Sequence, residues 1–218
     1  MLVAYLLVLG CAVGATVWAR WKRAMVLAGV LKIACSLAFV GLACARGFPD
    51  AHYAGWMLTG LGLSAAGDAI LLVRRKSALV VGAAGFAIAH LAYLVAWGRL
   101  LRFDAWVLAA GAALAVLVGW VAYSTRARTG RLRWLVLFYG WVLGASVVCA
   151  VAVGVQVGGH LAWSLGLGGV LFLVSDLSVL RDRMLTPSLW NPTWGLPCYY
   201  AAQVCFALSV AQVPVVPI

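Results

Sequence analysis

The feature that most constrains this chain is a succession of apolar runs, each close to the ~20 residues that cross a bilayer as a helix. They lie at 2–18, 25–45, 54–73, 78–98, 105–123, 134–155, 161–180 and 195–212, separated by short polar breaks. Charged residues make up 10% of the chain and the mean hydropathy is +1.07. A soluble domain, in which about a quarter of residues are charged, could not hide so much apolar surface. The expected fold is all-α: a polytopic membrane protein of eight transmembrane helices, with residues 1–218 forming one transmembrane domain.

The formal charge of +11 would suit nucleic acid in a soluble protein. Here the basic residues cluster between apolar runs, which sets membrane orientation and argues against a nucleic-acid partner. The odd connections carry twelve of them, among them Arg20, Lys22, Arg23, Arg74, Arg75, Lys76 and the group from Arg126 to Arg133. The even connections carry only Arg46, Arg99 and Arg102. Odd loops are therefore expected in the cytoplasm and both termini outside. The first run has no basic start and its positive charges follow it, so it reads as a retained helix rather than a signal peptide. The six cysteines form no CxxC pair and read as small buried apolar side chains. The connection 181–195, with Pro187, Pro192, Trp190 and Trp194, suits a stretch lying along the cytoplasmic interface.

A weak internal repeat is visible: Ser64 to Asp68 in the third run and Ser175-Asp176 in the seventh each fall in the third helix of a four-helix half. The halves would run parallel, as two four-helix repeats about an axis along the membrane normal.

Ionisable groups inside a span cost a few kcal/mol and usually face a protein interior, often at a functional site. Three stand out: Lys32, Asp68 and Asp176. At ~1.5 Å per residue, Asp68 lies ~9 Å from Arg74, Asp176 ~7.5 Å from Arg181, Lys32 ~13 Å from Arg23 and Tyr139 ~9 Å from Arg133. Four helices thus place polar groups in one layer of the cytoplasmic half, which Tyr199, Tyr200 and Gln203 can join. Gly60, Ser64 and Asp68 form a small polar stripe at successive turns, while Gly169, Phe172 and Asp176 share a face with Ser175 adjacent. Lys32 could pair with one aspartate simply to join helices. Two carboxyls against one cation still leave one without a charge partner, and burial favours the neutral form of such a group. An acid and a carboxylate held apart in this way can divide protonation from water activation.

His90 shares a face with Tyr93 but lies ~20 Å from Lys76. That depth puts it nearer the outer half, away from the aspartates, and favours a structural hydrogen bond over direct chemistry. His52 and His160 fall in outer loops, and Asp50, Asp104 and Asp182 read as interfacial charges. No metal ligand spacing, nucleophile elbow or phosphate loop is present, so neither a metal nor a cofactor is expected.

The segments Gly67-Asp68-Ala-Ile-Leu71-Leu72, Gly85-Phe86-Ala-Ile-Ala-His90-Leu-Ala-Tyr93, Gly169-Val-Leu-Phe172-Leu-Val-Ser175-Asp176 and Tyr199-Tyr200-Ala-Ala-Gln203 occur in that order. In this the chain resembles the YhhN-type membrane proteins, which include lysoplasmalogenases. It departs from them at Lys32, which is followed by Ile33 where the family tends to have proline. The resemblance implies hydrolysis of the vinyl-ether bond of a lysoplasmalogen, giving fatty aldehyde and a glycerophosphoethanolamine or glycerophosphocholine. With no ligand cluster in the sequence this is expected to need no metal, and the expected location is a bacterial inner membrane. Its expected partners are that lysophospholipid and membrane lipids. The expected catalytic pair is Asp68 and Asp176, with Lys32, Ser64, His90, Tyr93, Tyr139, Ser175, Tyr199, Tyr200 and Gln203 positioning substrate or tuning the carboxyls. Two other readings suit the same residues: a proton-coupled transporter or lipid-handling protein, and a membrane scaffold whose polar layer only joins helices.

Overall fold

The computed structural model describes residues 1–213, and among them there is no strand. The helices are α1 (Leu2–Trp21), α2 (Met25–Ala45), α3 (Ala51–Ile70), α4 (Lys76–Gly98) and α5 (Ala105–Ser124), then α6 (Arg133–Val157), α7 (Gly159–Leu185) and α8 (Trp190–Ser209). A short turn of helix, Arg126–Thr129, and a 3₁₀ turn, Gly130–Leu132, lead into α6. Two turns of α7, Trp163–Leu167 and Arg181–Leu185, are π-helical.

Six of the helical stretches are long and apolar enough to cross a membrane, and the chain is an integral membrane protein. The two that fall short of that apolarity are α3 and α8. Both turn polar residues inward: Ser64 and Asp68 from α3, and Asn191, Gln203 and Ser209 from α8, are all buried. A helix enclosed by its neighbours need not be apolar all round, because its polar groups find partners in protein rather than lipid. The opposite case is α5, which buries only Val107 and Ala122 and presents exposed Leu108, Val116, Leu117 and Trp120.

The helices pair in a repeating way. α1 packs on α2 as α5 packs on α6; α3 packs on α4 as α7 packs on α8; α2 meets α3 as α6 meets α7. Across the middle, α4 meets α6 and α8 meets α2. Each of these pairings within α1–α4 thus has a counterpart within α5–α8. Between them lies an aromatic core in which Phe86, Tyr93, Phe172, Tyr199 and Phe206 meet edge-on, tilted or stacked at centroid separations of 5.1–6.2 Å.

Local sequence explains the turns. Asp50 caps α3 by accepting from the Tyr53 N–H at 2.8 Å. Gly158 and Gly159 both adopt positive φ (76° and 61°) and reverse the chain between α6 and α7, a conformation that side chains disfavour. Gly60 serves close approach: a Cβ there would lie 2.2 Å from Tyr93 Cε1. Gly60→Ala is therefore expected to cost about 1–3 kcal/mol by overpacking, read as a lower thermal melt in detergent. An unchanged melt would contradict this packing of α3 on α4.

Three expectations need correction. The stretch 181–195 is not a separate interfacial segment, because α7 runs on to Leu185 and α8 already begins at Trp190. Pro192 sits in the first turn of α8, where its missing N–H costs no helical bond. The Asn191 side chain ties the junction by donating to Thr186 O at 2.8 Å. Of the cysteines only Cys35 is buried; Cys11 and Cys44 are exposed on the apolar exterior, where a thiol is equally at home. His52 and His160 lie in the first turns of α3 and α7 rather than in loops.

Candidate active site

Lys32 and Ser36 lie one turn apart on α2 and both are buried, so they present a cation and a hydroxyl on one face. Asp68, on the last full turn of α3, receives both. Lys32 Nζ is 2.7 Å from Asp68 Oδ1 and also donates to the Asp68 main-chain carbonyl at 3.2 Å. Ser36 Oγ donates to Asp68 Oδ2 at 2.7 Å, and the Tyr199 hydroxyl of α8 donates to that same oxygen at 2.7 Å. The carboxylate thus has a cation on one oxygen and two hydroxyl donors on the other. Such saturation is what a buried ion pair requires to offset its desolvation.

Behind this pair the network continues. Tyr200 donates to Lys32 O at 2.9 Å and lies 3.3 Å from Ser36 Oγ. Gln203 Nε2 donates to the Tyr199 hydroxyl at 3.1 Å, and Tyr93 donates to Gln203 Oε1 at 3.1 Å. Ser64 Oγ stands 3.4 Å from the Tyr93 hydroxyl. Mutually satisfied groups of this kind fix each other's orientation.

Asp176, half-buried on α7, has a different environment. The Tyr139 hydroxyl of α6 donates to its Oδ2, and among the described residues no cation pairs with it. It lines the same cavity as Asp68, of about 910 Å³. Lys32, Tyr139, Ser175 and Tyr199 line it too, whereas Ser64, His90, Tyr93, Tyr200 and Gln203 stand behind the wall. The volume falls within the ~300–1,000 Å³ range usual for ligand sites. Much of the rest of the wall is aliphatic, among it Val30 on α2 and Leu117 on α5, both of them exposed.

His90 is not remote from the aspartates as its depth suggested. Its ring lies 6.3 Å from that of Tyr139 and 4.5 Å from that of Phe172, one ring removed from Asp176. Counting rise along α4 measures only backbone depth; the reach of the Tyr139 side chain spans the difference. The hydrogen bond expected of His90 is present, between Nδ1 and Ser146 Oγ at 2.9 Å, while its buried Nε2 has no partner among the described residues. Ser36 escaped the sequence reading, although its position four residues after Lys32 was a usable signal. Among the described residues no three His, Cys, Asp or Glu side chains cluster as metal ligands would.

Apolar helices enclosing a largely aliphatic cavity with two inward carboxyls define an integral membrane protein built around an internal chamber. Residues 27–210 match the YhhN family, and the chain belongs to that family. It is 33% identical over 177 residues to lysoplasmalogenase TMEM86A of Bos taurus, covering 74% of this chain and 71% of the relative. To lysoplasmalogenase TMEM86A of Homo sapiens it is 30% identical over 188 residues, covering 84% and 76%. No solved structure matches it.

Proposed function

We propose that the chain is a lysoplasmalogenase-like hydrolase that cleaves the vinyl-ether bond of lysoplasmalogens within the membrane. The observation that carries this reading is the contrast between two carboxyls on one cavity: Asp68 has a cation and two hydroxyl donors, Asp176 only a tyrosine hydroxyl. In the reaction Asp176, as the acid, gives its proton to the vinyl carbon remote from oxygen, creating an oxocarbenium ion. The Asp68 carboxylate, held in place by Lys32, Ser36 and Tyr199, stabilises that cation. Water adds to the carbon bearing oxygen and returns a proton to Asp176. The hemiacetal then collapses to fatty aldehyde and a free glycerol hydroxyl on glycerophosphoethanolamine or glycerophosphocholine, so the net change is one water added. Ser175 and Tyr139 line the space where substrate would lie; Ser64, His90, Tyr93, Tyr200 and Gln203 are positioning residues. The relatives' names, lysoplasmalogenase, support the same substrate class.

Detergent-purified protein given a lysoplasmalogen tests this directly. Aldehyde release without any ion gradient is expected, and its absence would sink the reading. The mirrored helix pairing also suits a transporter built from repeats; uptake of lipid or protons by liposomes, without aldehyde, would favour that instead. Carboxyl chemistry needs no Lewis acid, so chelator should leave turnover intact. Loss of activity with chelator and its restoration by a divalent ion would contradict this.

We further read α3 and α8 as spans, since 20 residues reach ~30 Å. This gives eight crossings in one transmembrane domain, two parallel four-helix repeats and both termini outside a plasma membrane. Reporters fused at Arg75 and Arg128 should then report cytoplasm and a C-terminal reporter the outside. A cytoplasmic C-terminus would mean a miscounted span.

A further inference from the structure

The cavity has a second polar end. Arg20 from the last turn of α1, Arg74 from the α3–α4 connection and Arg183 from the last turn of α7 all line it, together with Asp182. Their guanidiniums lie close enough to act on one another electrostatically, and a single carboxylate, Asp182, sits among them. Arg74 Nη2 pairs with Asp182 Oδ2 at 3.1 Å, and the other Asp182 oxygen accepts from the Ser188 N–H at 3.2 Å. Arg183 Nη2 donates to Leu71 O at 2.6 Å. Arg20 Nε is buried and has no partner among the described residues. Buried donors rarely go unpaired, and three cations around one anion leave positive charge in excess.

We propose that Arg20, Arg74 and Arg183 form a phosphate-recognition site at the mouth of the cavity, which holds the head-group phosphate of the lysophospholipid. Guanidinium forks match phosphate oxygens, and Arg20 Nε is the donor still to be satisfied. The spacing suits this occupant. Arg183 follows Asp176 by seven residues of continuous helix, about 10 Å along its axis, and Arg74 follows Asp68 by six residues just past the end of α3. In an alkenyl lysophospholipid, seven bonds separate phosphorus from the vinyl carbon that takes the proton, roughly 9 Å when extended. With phosphate at the mouth, that carbon reaches the aspartates, and the chain continues against Leu114, Leu117, Val118, Leu135 and Val136. The arginines that orient the protein in the membrane would thus also set the register of its substrate. This inference rests on the hydrolase reading for the identity of the lipid, but its test does not need turnover.

The test is equilibrium binding to detergent-purified full-length protein of two lipids without a vinyl ether: 1-acyl-lysophosphatidylethanolamine and the phosphate-free 1-monoacylglycerol. The wild type is expected to prefer the phospholipid at least tenfold. Arg20→Gln should remove most of that preference, Arg20→Lys should retain part of it, and Arg46→Gln, beyond the opposite end of α2, should leave it intact. Arg74→Gln alters an exposed side chain and supplies a second probe should Arg20→Gln fail to fold. The preference is expected to fall in that variant too. Equal preference in wild type and in folded Arg20→Gln or Arg74→Gln would overturn the proposal. Displacement of the phospholipid by inorganic phosphate at comparable concentration would assign the arginines to free phosphate and overturn it as well. Head-group preference that survives while aldehyde release is absent would refute the hydrolase reading alone.

Discussion

Asp176→Asn is expected to lower aldehyde release by ~10²- to 10⁴-fold while the protein still folds, and Asp68→Asn by a similar factor. Asparagine keeps the size of the side chain and much of its hydrogen bonding. At position 176 it can still accept from Tyr139, but it cannot hand a proton to carbon. At position 68 it can still accept from Ser36 and Tyr199, but it carries no charge opposite an oxocarbenium ion. The two losses differ in kind: one removes the proton, the other the electrostatic stabiliser. Asp104→Asn is the control, since Asp104 accepts from Gln156 Nε2 at 3.0 Å on the exposed rim and lies outside the cavity. Purified variants matched for monodispersity and melting provide the comparison. Retention of more than about a tenth of wild-type turnover in either cavity variant, less than even the low end of the expected loss, would break the paired-carboxyl mechanism.

The second large effect is on stability. Lys32→Met should destabilise the protein by about 3–5 kcal/mol, because it strips the cation from a buried carboxylate that remains enclosed. Lys32 and Asp68 are 8% and 2% exposed, so solvent cannot replace the lost partner. Adding Asp68→Asn to Lys32→Met removes the orphaned charge and should recover most of the melting temperature. Turnover should not recover, because the carboxylate is gone. A single variant that melts like wild type, or a double variant that melts no higher than the single, would show that the pair is not coupled as the geometry implies.

The helical architecture was legible in the sequence because lipid imposes a length and a composition on each crossing, and α2, α4 and α5 fall close to the runs read from hydropathy alone. The junction of α7 and α8 was less so. Prolines normally announce a break, but Pro192 falls in the first turn of α8, where a helix tolerates it, and the Asn191 side chain closes the junction on Thr186 O. For the site, depth counted at a fixed rise brought Lys32, Asp68, Asp176 and Tyr139 to one layer, and the structure brings these four to one cavity. Of the three residues expected to join them, Tyr199 lines it and Tyr200 and Gln203 do not. The same count misjudged His90, because depth says nothing of how far a tyrosine ring reaches sideways. Which carboxyl Lys32 would join could not be read from sequence either, since that depends on how α2, α3 and α8 meet. Arg20, Arg74 and Arg183 were hidden for another reason: basic residues at a membrane edge already have one explanation, and only the cavity gives them a second.

The most direct test of the central claim, that Asp176 protonates the vinyl carbon, is hydrolysis in heavy water after full exchange of the protein. Delivery by a fixed side chain from one side places a single deuterium on carbon 2 of the aldehyde, in one configuration. Reducing the aldehyde to the alcohol as it forms preserves that stereocentre for analysis by nuclear magnetic resonance. The account predicts singly deuterated product of one hand. Product that is undeuterated, or deuterated equally in both configurations as from an enol released into solution, would contradict it.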